Sequence, residues 1–285
     1  MDANIRSSGR ACLATGRLKV RTTALAAALM SLGIAEAAHS DAPSQDAFDV
    51  VVVDAGHGGD DEGALGPAGG VEKDIVLEVA RELAAQLRAR GLRVVMTRSD
   101  DSFVPLERRT HIANDAKGDL FVSVHANASP RPAIRGSETF FLSLDASDDA
   151  AQRLAEREND AFGAAAARLL QQNDPLVAIL GDLIATEHLS ESQEFAGLAQ
   201  GRLAALAPES SRGVKQAPFV VLSGVSMPAS LVEIGFITNL ADERAMRSRK
   251  GRSAVVAALA DAVAEFGRRH DARRGIGAKA SREAQ

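Results

Sequence analysis

The stretch from Phe48 to Glu72 constrains the fold more than any other part of the chain. It runs FDVVVVDAGHGG, crosses a Gly-rich connection and resumes as VEKDIVLEVARELAAQLRARG. Four consecutive valines with apolar flanks form the pattern of a strand buried on both faces, as inside a parallel sheet. Glycines at 56, 58 and 59 end that strand, because they mark tight or unusual backbone. Val76, Val79, Leu83 and Leu87 recur at helical spacing, so a helix with one apolar stripe is expected from Glu72. His57 then stands at the carboxyl tip of a strand and Glu72 in the first turn of the next helix. That edge of an open α/β sheet is where ligands bind.

The rest of the chain alternates strand and helix. Strands are expected at Leu92–Thr97, Asp119–His125, Gly136–Ser143 (half-exposed), Phe219–Leu222 and Leu231–Ile234. Helices are expected over Pro105–Lys117, with Pro at its N-terminal position, over much of 144–211, and over Asp242–Arg269. The fold class is therefore α/β: a single domain with a twisted, mostly parallel sheet of about six strands, helices on both faces and a helical insertion. One folded domain is expected over residues 48–269, and 270–285 read as a polar, disordered tail.

The N-terminal residues read as a processing segment. Arg17, Lys19 and Arg21 precede the apolar run from Ala24 to Ala35, and Ala-Glu-Ala-Ala follows at 35–38. A positive region, a short apolar core and a small-residue cleavage site describe a secretory signal peptide over 1–38, with 39–47 as a linker. The apolar run is short for a permanent membrane span. Cleavage would remove Cys12, the one cysteine of the chain, and leave a protein suited to an oxidising compartment. A net charge of −5 carries no electrostatic footprint for nucleic acid. With no Trp and no Tyr, an aromatic-lined groove for stacking sugars or bases is not expected.

Candidate chemistry converges on four residues. His125 ends its strand as His57 does, so both imidazoles point to one sheet edge. Two His and one carboxylate, Glu72, form a known catalytic zinc set with a fourth position left to water or substrate. On spacing alone the signal is weak, since there is no HExxH-type motif and a His at a strand end is more often simply exposed. Glu233 lies in the apolar strand SLVEIGFITN, where a carboxylate is costly unless paired, neutralised or functional. It is either a salt-bridged core Glu, with Arg98 or Arg109, or a general base with a raised pKa. Arg98 and Arg109 are expected as internal guanidinium partners near strand ends, to Asp54 or Glu78. His39, His188 and His270 are expected to be solvated, His111 to lie on the surface, and Arg244–Arg252 to form a solvated helix face. Asn127 is left open between orienting a ligand and touching substrate.

Taken in order, the motifs resemble those of zinc-dependent N-acetylmuramoyl-L-alanine amidases that trim bacterial peptidoglycan. They are DAGHGG at 54–59, Glu72-Lys73-Asp74, Thr97-Arg98, and Leu-x-x-Arg-x-x-x-Ala-Asn over Leu106–Asn114. FVSVHAN at 121–127, GSETFFLS, RGVKQAPFVVL at 212–222 and PASLVEIGFITN at 228–239 complete the series. Ala55 stands where many relatives have Pro. The resemblance implies Zn²⁺ held by His57, Glu72 and His125, with Glu233 as the catalytic carboxylate. It also implies hydrolysis of the amide between N-acetylmuramic acid and L-alanine, for wall remodelling or daughter-cell separation in the periplasm. A non-catalytic peptidoglycan-binding protein and a zinc carboxypeptidase acting on stem peptides are the alternatives.

The segment Asp145–Leu206 is longer than a crossover needs, and long insertions are often functional. It resembles the regulatory insertion of periplasmic division amidases, whose helix covers the zinc until an activator protein displaces it. By that resemblance Glu158, with Glu156 as the alternative, occupies the open zinc position. The other reading of the segment is a charged helical hairpin beside the sheet.

Overall fold

The valine run at 50–55 lies at the heart of the molecule, because strands pair with it on both sides. The computed structural model describes residues 47–160 and 175–276, with side chains over 47–159 and 188–276. The expected signal peptide and most of the linker and tail lie outside these residues, as does 161–174 within the insertion. Strands β1 (Val50–Ala55), β2 (Arg93–Met96), β3 (Leu120–Asn127), β4 (Glu138–Leu142), β5 (Val214–Ala217) and β6 (Ala229–Phe236) form one sheet in the order β2-β1-β3-β6-β4-β5. Every pairing is parallel except β4 with β6. The chain runs from β1 outward to β2, then returns to β3 on the other side of β1. This reversal makes β1 and β3 a topological switch point, where a crevice opens at the strands' carboxyl ends.

Helices cover both faces. Helix α1 (Glu72–Ala89), the C-terminal half of α4 (Pro175–Ala204) and α7 (Arg249–Arg273) bury one face. There Val76, Val79, Leu83 and Leu87, all 0% exposed, meet Phe195, Ala199, Val263 and Phe266. Helices α2 (Leu106–Asp115) and α3 (Asp149–Asp160), with the one-turn α5 (Val220–Ser223), cover the other face, where Leu154, Phe121, Phe140, Phe219 and Leu231 pack together. A sixth helix, α6 (Leu240–Arg247), lies after β6.

Several expectations are corrected. Phe219–Leu222 is not a strand: the apolar residues enter the single turn α5, whose Val220 N–H is taken by the Asn159 side chain at 3.0 Å. The fifth strand lies just upstream, at Val214–Ala217. Strand β4 is buried rather than half-exposed, because Thr139 faces α4, bonding Gln200 at 2.9 Å, while Phe140 faces the opposite cluster. Pro105 is the extended residue preceding α2, not its first helical residue. The helix expected at 242–269 is two helices, broken at the extended Ser248, whose hydroxyl accepts from Gly251 N at 3.0 Å. Helix α7 continues to Arg273, into the expected tail. His270 is not solvated but 4% exposed, stacked edge-on to Phe48 at 5.7 Å. On the Arg244–Arg252 face, Arg252 is tied to Glu78 at 3.0 Å and Glu82 at 3.2 Å of α1.

The insertion divides into two parts. The described end of α4 is a core helix: the Ser192 hydroxyl accepts from Ala229 N at 2.8 Å, and Phe195 is fully buried. Helix α3 lies on the opposite face, over the crevice.

One polar cluster ties the sheet's carboxyl edge together. Asp54, 1% exposed at the end of β1, accepts from Thr97 after β2 at 2.6 Å, from Ser123 of β3 at 2.6 Å and from Arg109 of α2 at 2.7 Å. Burial pushes its carboxyl pKa up, but Arg109 and the two hydroxyls outweigh burial and hold it below the ordinary value. Arg109 is itself 1% exposed. Removing one partner of a buried ion pair leaves an uncompensated charge, at a cost of about 3–5 kcal/mol. Asp54→Ala is expected to lose stability on that scale, read as a lowered midpoint in urea denaturation.

Candidate metal centre

The crevice collects side chains that end three separate elements. After β1 the backbone turns at His57, held at φ 59°. Arg109 donates to the His57 carbonyl at 2.7 Å, and Arg98 donates to the carbonyls of Ala55 at 2.9 Å and Gly56 at 2.6 Å. Of the two expected partners, Arg109 meets Asp54; Arg98 binds carbonyls. A tight turn pairs Gly58 with Asp61. It returns the Asp61 carboxylate to His57 Nδ1 at 2.9 Å, so Nδ1–H donates and Nε2 is the nitrogen that can bind a cation once it gives up its proton. Asp61 was missed in the sequence, where an acidic residue four positions after the His was its only signal.

Glu72 opens α1 with no side-chain cap preceding it. Its Oε2 accepts from Ala64 N and its Oε1 from Ala126 N, both at 2.9 Å. His125 stands on β3 opposite Glu233 of β6 in register. Its ring lies over Gly56, where an added Cβ would sit 2.3 Å from His125 Cε1. His57, Glu72 and His125 are all buried, with one ligand atom of each within 4.8 Å of the others.

A fourth group joins them from α3. Glu158 Oε2 lies 3.4 Å from His57 Nε2 and 3.2 Å from His125 Nδ1. Glu72 Oε1 lies 3.1 Å and 3.3 Å from the same two nitrogens. These four separations resemble the edges of a tetrahedron, since ligands ~2.0–2.2 Å from a tetrahedral ion stand roughly 3.3–3.6 Å apart. His57 Nε2, His125 Nδ1 and Glu158 Oε2 make no hydrogen bond despite their closeness. Each of the two carboxylate oxygens thus approaches both imidazole nitrogens. Glu156, by contrast, is on the exposed face of α3, bonded to Gln152.

The site's charge also favours a cation. Burial alone would push both imidazole pKa values down. Glu72, Asp61 and Glu158 instead raise His57 to about 11, and Glu158 and Glu72 raise His125 to about 10. Burial raises Glu72, but the two imidazoles outweigh it and hold its carboxyl well below the usual range. An assembly that draws protons this strongly draws a divalent cation for the same Coulombic reason. The donor set of two imidazoles and carboxylates fits a borderline-soft ion such as zinc.

Glu233 is 0% exposed and neither carboxylate oxygen has a hydrogen-bond partner. The expected pairing with Arg98 or Arg109 is absent, since both guanidinium groups serve the end of β1. Burial, with Glu158 and Glu72 adding to it against His125, pushes the Glu233 pKa well above the ordinary value.

The last turn of helix α3 is fixed over this cluster. Asn159 donates to Pro218 O at 2.8 Å and accepts from Val220 N at 3.0 Å. Arg157 donates to Asn127 Oδ1 at 3.1 Å, so Asn127 serves the helix here. Beneath α3 remains a cavity of about 10 Å³, lined by His57, His125, Glu158, Phe219 and Leu231 among others.

Gly56→Ala is expected to keep the fold but displace the His125 ring. Circular dichroism should be unchanged while equilibrium dialysis shows loss of divalent-cation binding.

The chain is similar to known proteins over most of the described residues. The family model described as N-acetylmuramoyl-L-alanine amidase matches residues 51–265. The chain is 37% identical over 218 residues to the N-acetylmuramoyl-L-alanine amidase AmiA of Escherichia coli, covering 76% of this chain and 75% of that protein. It is 33% identical over 217 residues to AmiC of Neisseria meningitidis, covering 76% of this chain and 52% of that one. Among solved structures, the amidase AmiC2 of Nostoc punctiforme superposes with a TM-score of 0.58 at 27% identity, covering 78% of this chain and 98% of that chain.

Proposed function

The chain belongs to the N-acetylmuramoyl-L-alanine amidase family, and from that membership we propose a secreted zinc enzyme held latent by its own helix α3. The reaction is hydrolysis of the amide joining N-acetylmuramic acid to L-alanine in peptidoglycan. The observation that carries the zinc assignment is the convergence of His57 Nε2, Glu72 Oε1 and His125 Nδ1, two of the three without hydrogen-bond partners.

In this reading His57, Glu72 and His125 hold the ion. When bound, zinc supplies Lewis acidity toward the scissile carbonyl and toward water. The chain's own residues do the remainder. Asp61 fixes the His57 tautomer, and the N–H groups of Ala64 and Ala126 hold the Glu72 carboxylate. Glu233 takes the proton from the attacking water and delivers it to the departing L-alanine nitrogen, the work of a general base turned acid. Its buried setting brings its pKa up toward the working range of such a group. No Ser or Cys nucleophile is required.

Glu158 is proposed to hold the resting enzyme off by taking the position that water and substrate need. Two observations support this: its carboxylate is directed at both imidazoles, and the roughly 10 Å³ beneath α3 is about the space of one water and far too small for a muramoyl peptide. A periplasmic activator protein binding the 145–206 insertion would need to favour the uncovered state by only a few kcal/mol. Export rests on the basic and apolar pattern of residues 1–38. Among the described residues, no helix is long and apolar enough to cross a membrane.

Mass spectrometry of digested sacculi tests the reaction and the metal together. Stem peptides beginning at L-alanine should appear, vanish with a chelator and return with added zinc. Glu233→Gln should retain zinc and lose about 10²–10⁴ in rate, as removal of a general acid–base group does. Near-normal turnover would make Glu233 a structural carboxylate. Latency has a separate test: Glu158→Ala should raise basal hydrolysis of sacculi above that of the unaltered enzyme. Vigorous basal activity in the unaltered enzyme, unmoved by the substitution, would reduce α3 to an ordinary connection.

A further inference from the structure

The turn that brings Glu72 into the site has little apolar packing of its own. Between Glu62 and Gly70 only Gly70 is buried, and Leu65 is 59% exposed. Yet this turn caps α1. With no side-chain cap at Val71, the orphan N–H groups of the helix's first turn need other acceptors. Ala64 O accepts from Glu72 N at 2.9 Å, and Glu62 O accepts from Lys73 N at 3.2 Å. Ala64 N in turn bonds Glu72 Oε2 at 2.9 Å. Glu72 is thus held from two sides, at Oε1 by Ala126 N of β3 and at Oε2 by a segment that the apolar core scarcely touches.

What holds that segment is a carboxylate far along the chain. Glu243 of α6 is 0% exposed. Its Oε2 accepts from Ala68 N at 2.7 Å, and its Oε1 accepts from Gly70 N at 2.6 Å. Arg247, one helical turn on, donates to Ala68 O at 2.7 Å and lies 3.4 Å from Glu243 Oε1. The fit requires glycine on the other side: a Cβ at Gly66 would lie 2.4 Å from Glu243 Cδ, and one at Gly70 would lie 2.6 Å from Oε1. From this clamp the Leu65–Val71 bridge and the Gly66–Gly70 hydrogen bond of 2.8 Å lead directly to Ala64 and Glu72. Asp242 beside it serves a different loop, accepting from Gly136 N at 2.7 Å and Phe236 N at 2.9 Å.

We propose that Glu243 is a positioning residue for Glu72, clamping the turn that caps α1 and so setting the metal site's carboxylate. The proposal rests on the reading of His57, Glu72 and His125 as the zinc set. Ionised carboxylates bonded to backbone N–H groups are among the stronger hydrogen bonds, and groups that orient metal ligands are worth about 10–100-fold in metal affinity.

The test is zinc affinity of the full chain by competition with a chromophoric chelator, together with the visible spectrum of the cobalt(II) form. Glu243→Gln sets an amide NH₂ against a backbone N–H, and is expected to weaken zinc by about 10–100-fold and shift the cobalt bands. Arg247→Met, at a half-exposed side chain, is expected to give a smaller loss in the same direction and remains informative if Glu243→Gln fails to fold. Asp242→Asn is expected to leave zinc affinity unchanged. Unaltered affinity and spectrum in the Glu243 and Arg247 variants, alongside loss in Glu72→Ala, would overturn the proposal. Equal loss in Asp242→Asn would overturn it too, since any loosening of α6 would then suffice. If Glu72→Ala binds zinc as the unaltered chain does, the metal reading itself fails and the proposal falls with it.

Discussion

The ion pair between Asp54 and Arg109 is the interaction on which the rest of the structure depends. Two fully buried charges are tolerable only when each is richly hydrogen-bonded, and here that requirement organises the site. Asp54 gathers the ends of β1, β2 and β3 through Thr97 and Ser123. Arg109 spends its remaining donors on the carbonyls of Ala55, His57 and Val104. Arg98 adds Ala55, Gly56 and Lys73. The carbonyls that a departing strand would leave unpaired therefore become the attachment points of the loop that carries His57. A sheet edge facing a water-poor crevice is stabilised without a ligand side chain being used for the purpose.

Much of this was legible in the residues themselves. The run of valines, the α1 stripe and the placement of His57 and His125 at strand ends follow from periodicity and from glycine punctuation. What was not legible depends on distant partners. Phe219–Leu222 looked like a strand because a short apolar run has no distinguishing period, and the side chain that turns it into a helical turn, Asn159, is 61 positions away. His270 looked solvated in a charged helix because nothing nearby in sequence reveals Phe48 beside it. Glu243 was invisible for the same reason: its ligands are two backbone N–H groups 173 and 175 positions upstream.

The insertion shows how one connection serves two purposes. Its second helix completes the core on one face through Phe195 and Ser192, so it is tied to the stability of the fold. Its first helix lies on the other face, held by a few polar ties and a small apolar contact through Ala151, Leu154 and Ala155. Segments with few buried contacts open at lower free-energy cost than the global fold. In the latent enzyme proposed above, α3 would part from the domain while α4 remains.

His57 ends in a left-handed conformation, φ 59°, which non-glycine residues adopt at a cost on the order of 1–3 kcal/mol. Bonds from Arg98 and Arg109 hold the carbonyls of Ala55, Gly56 and His57 around it. Under the proposed zinc reading, stability and activity are therefore opposed at this one position. A glycine there would relax the backbone and discard the imidazole, so the sequences that fold best and those that catalyse need not coincide. Any search for hardier versions of this enzyme that scores folding alone will be drawn toward losing an imidazole that the proposed zinc site needs.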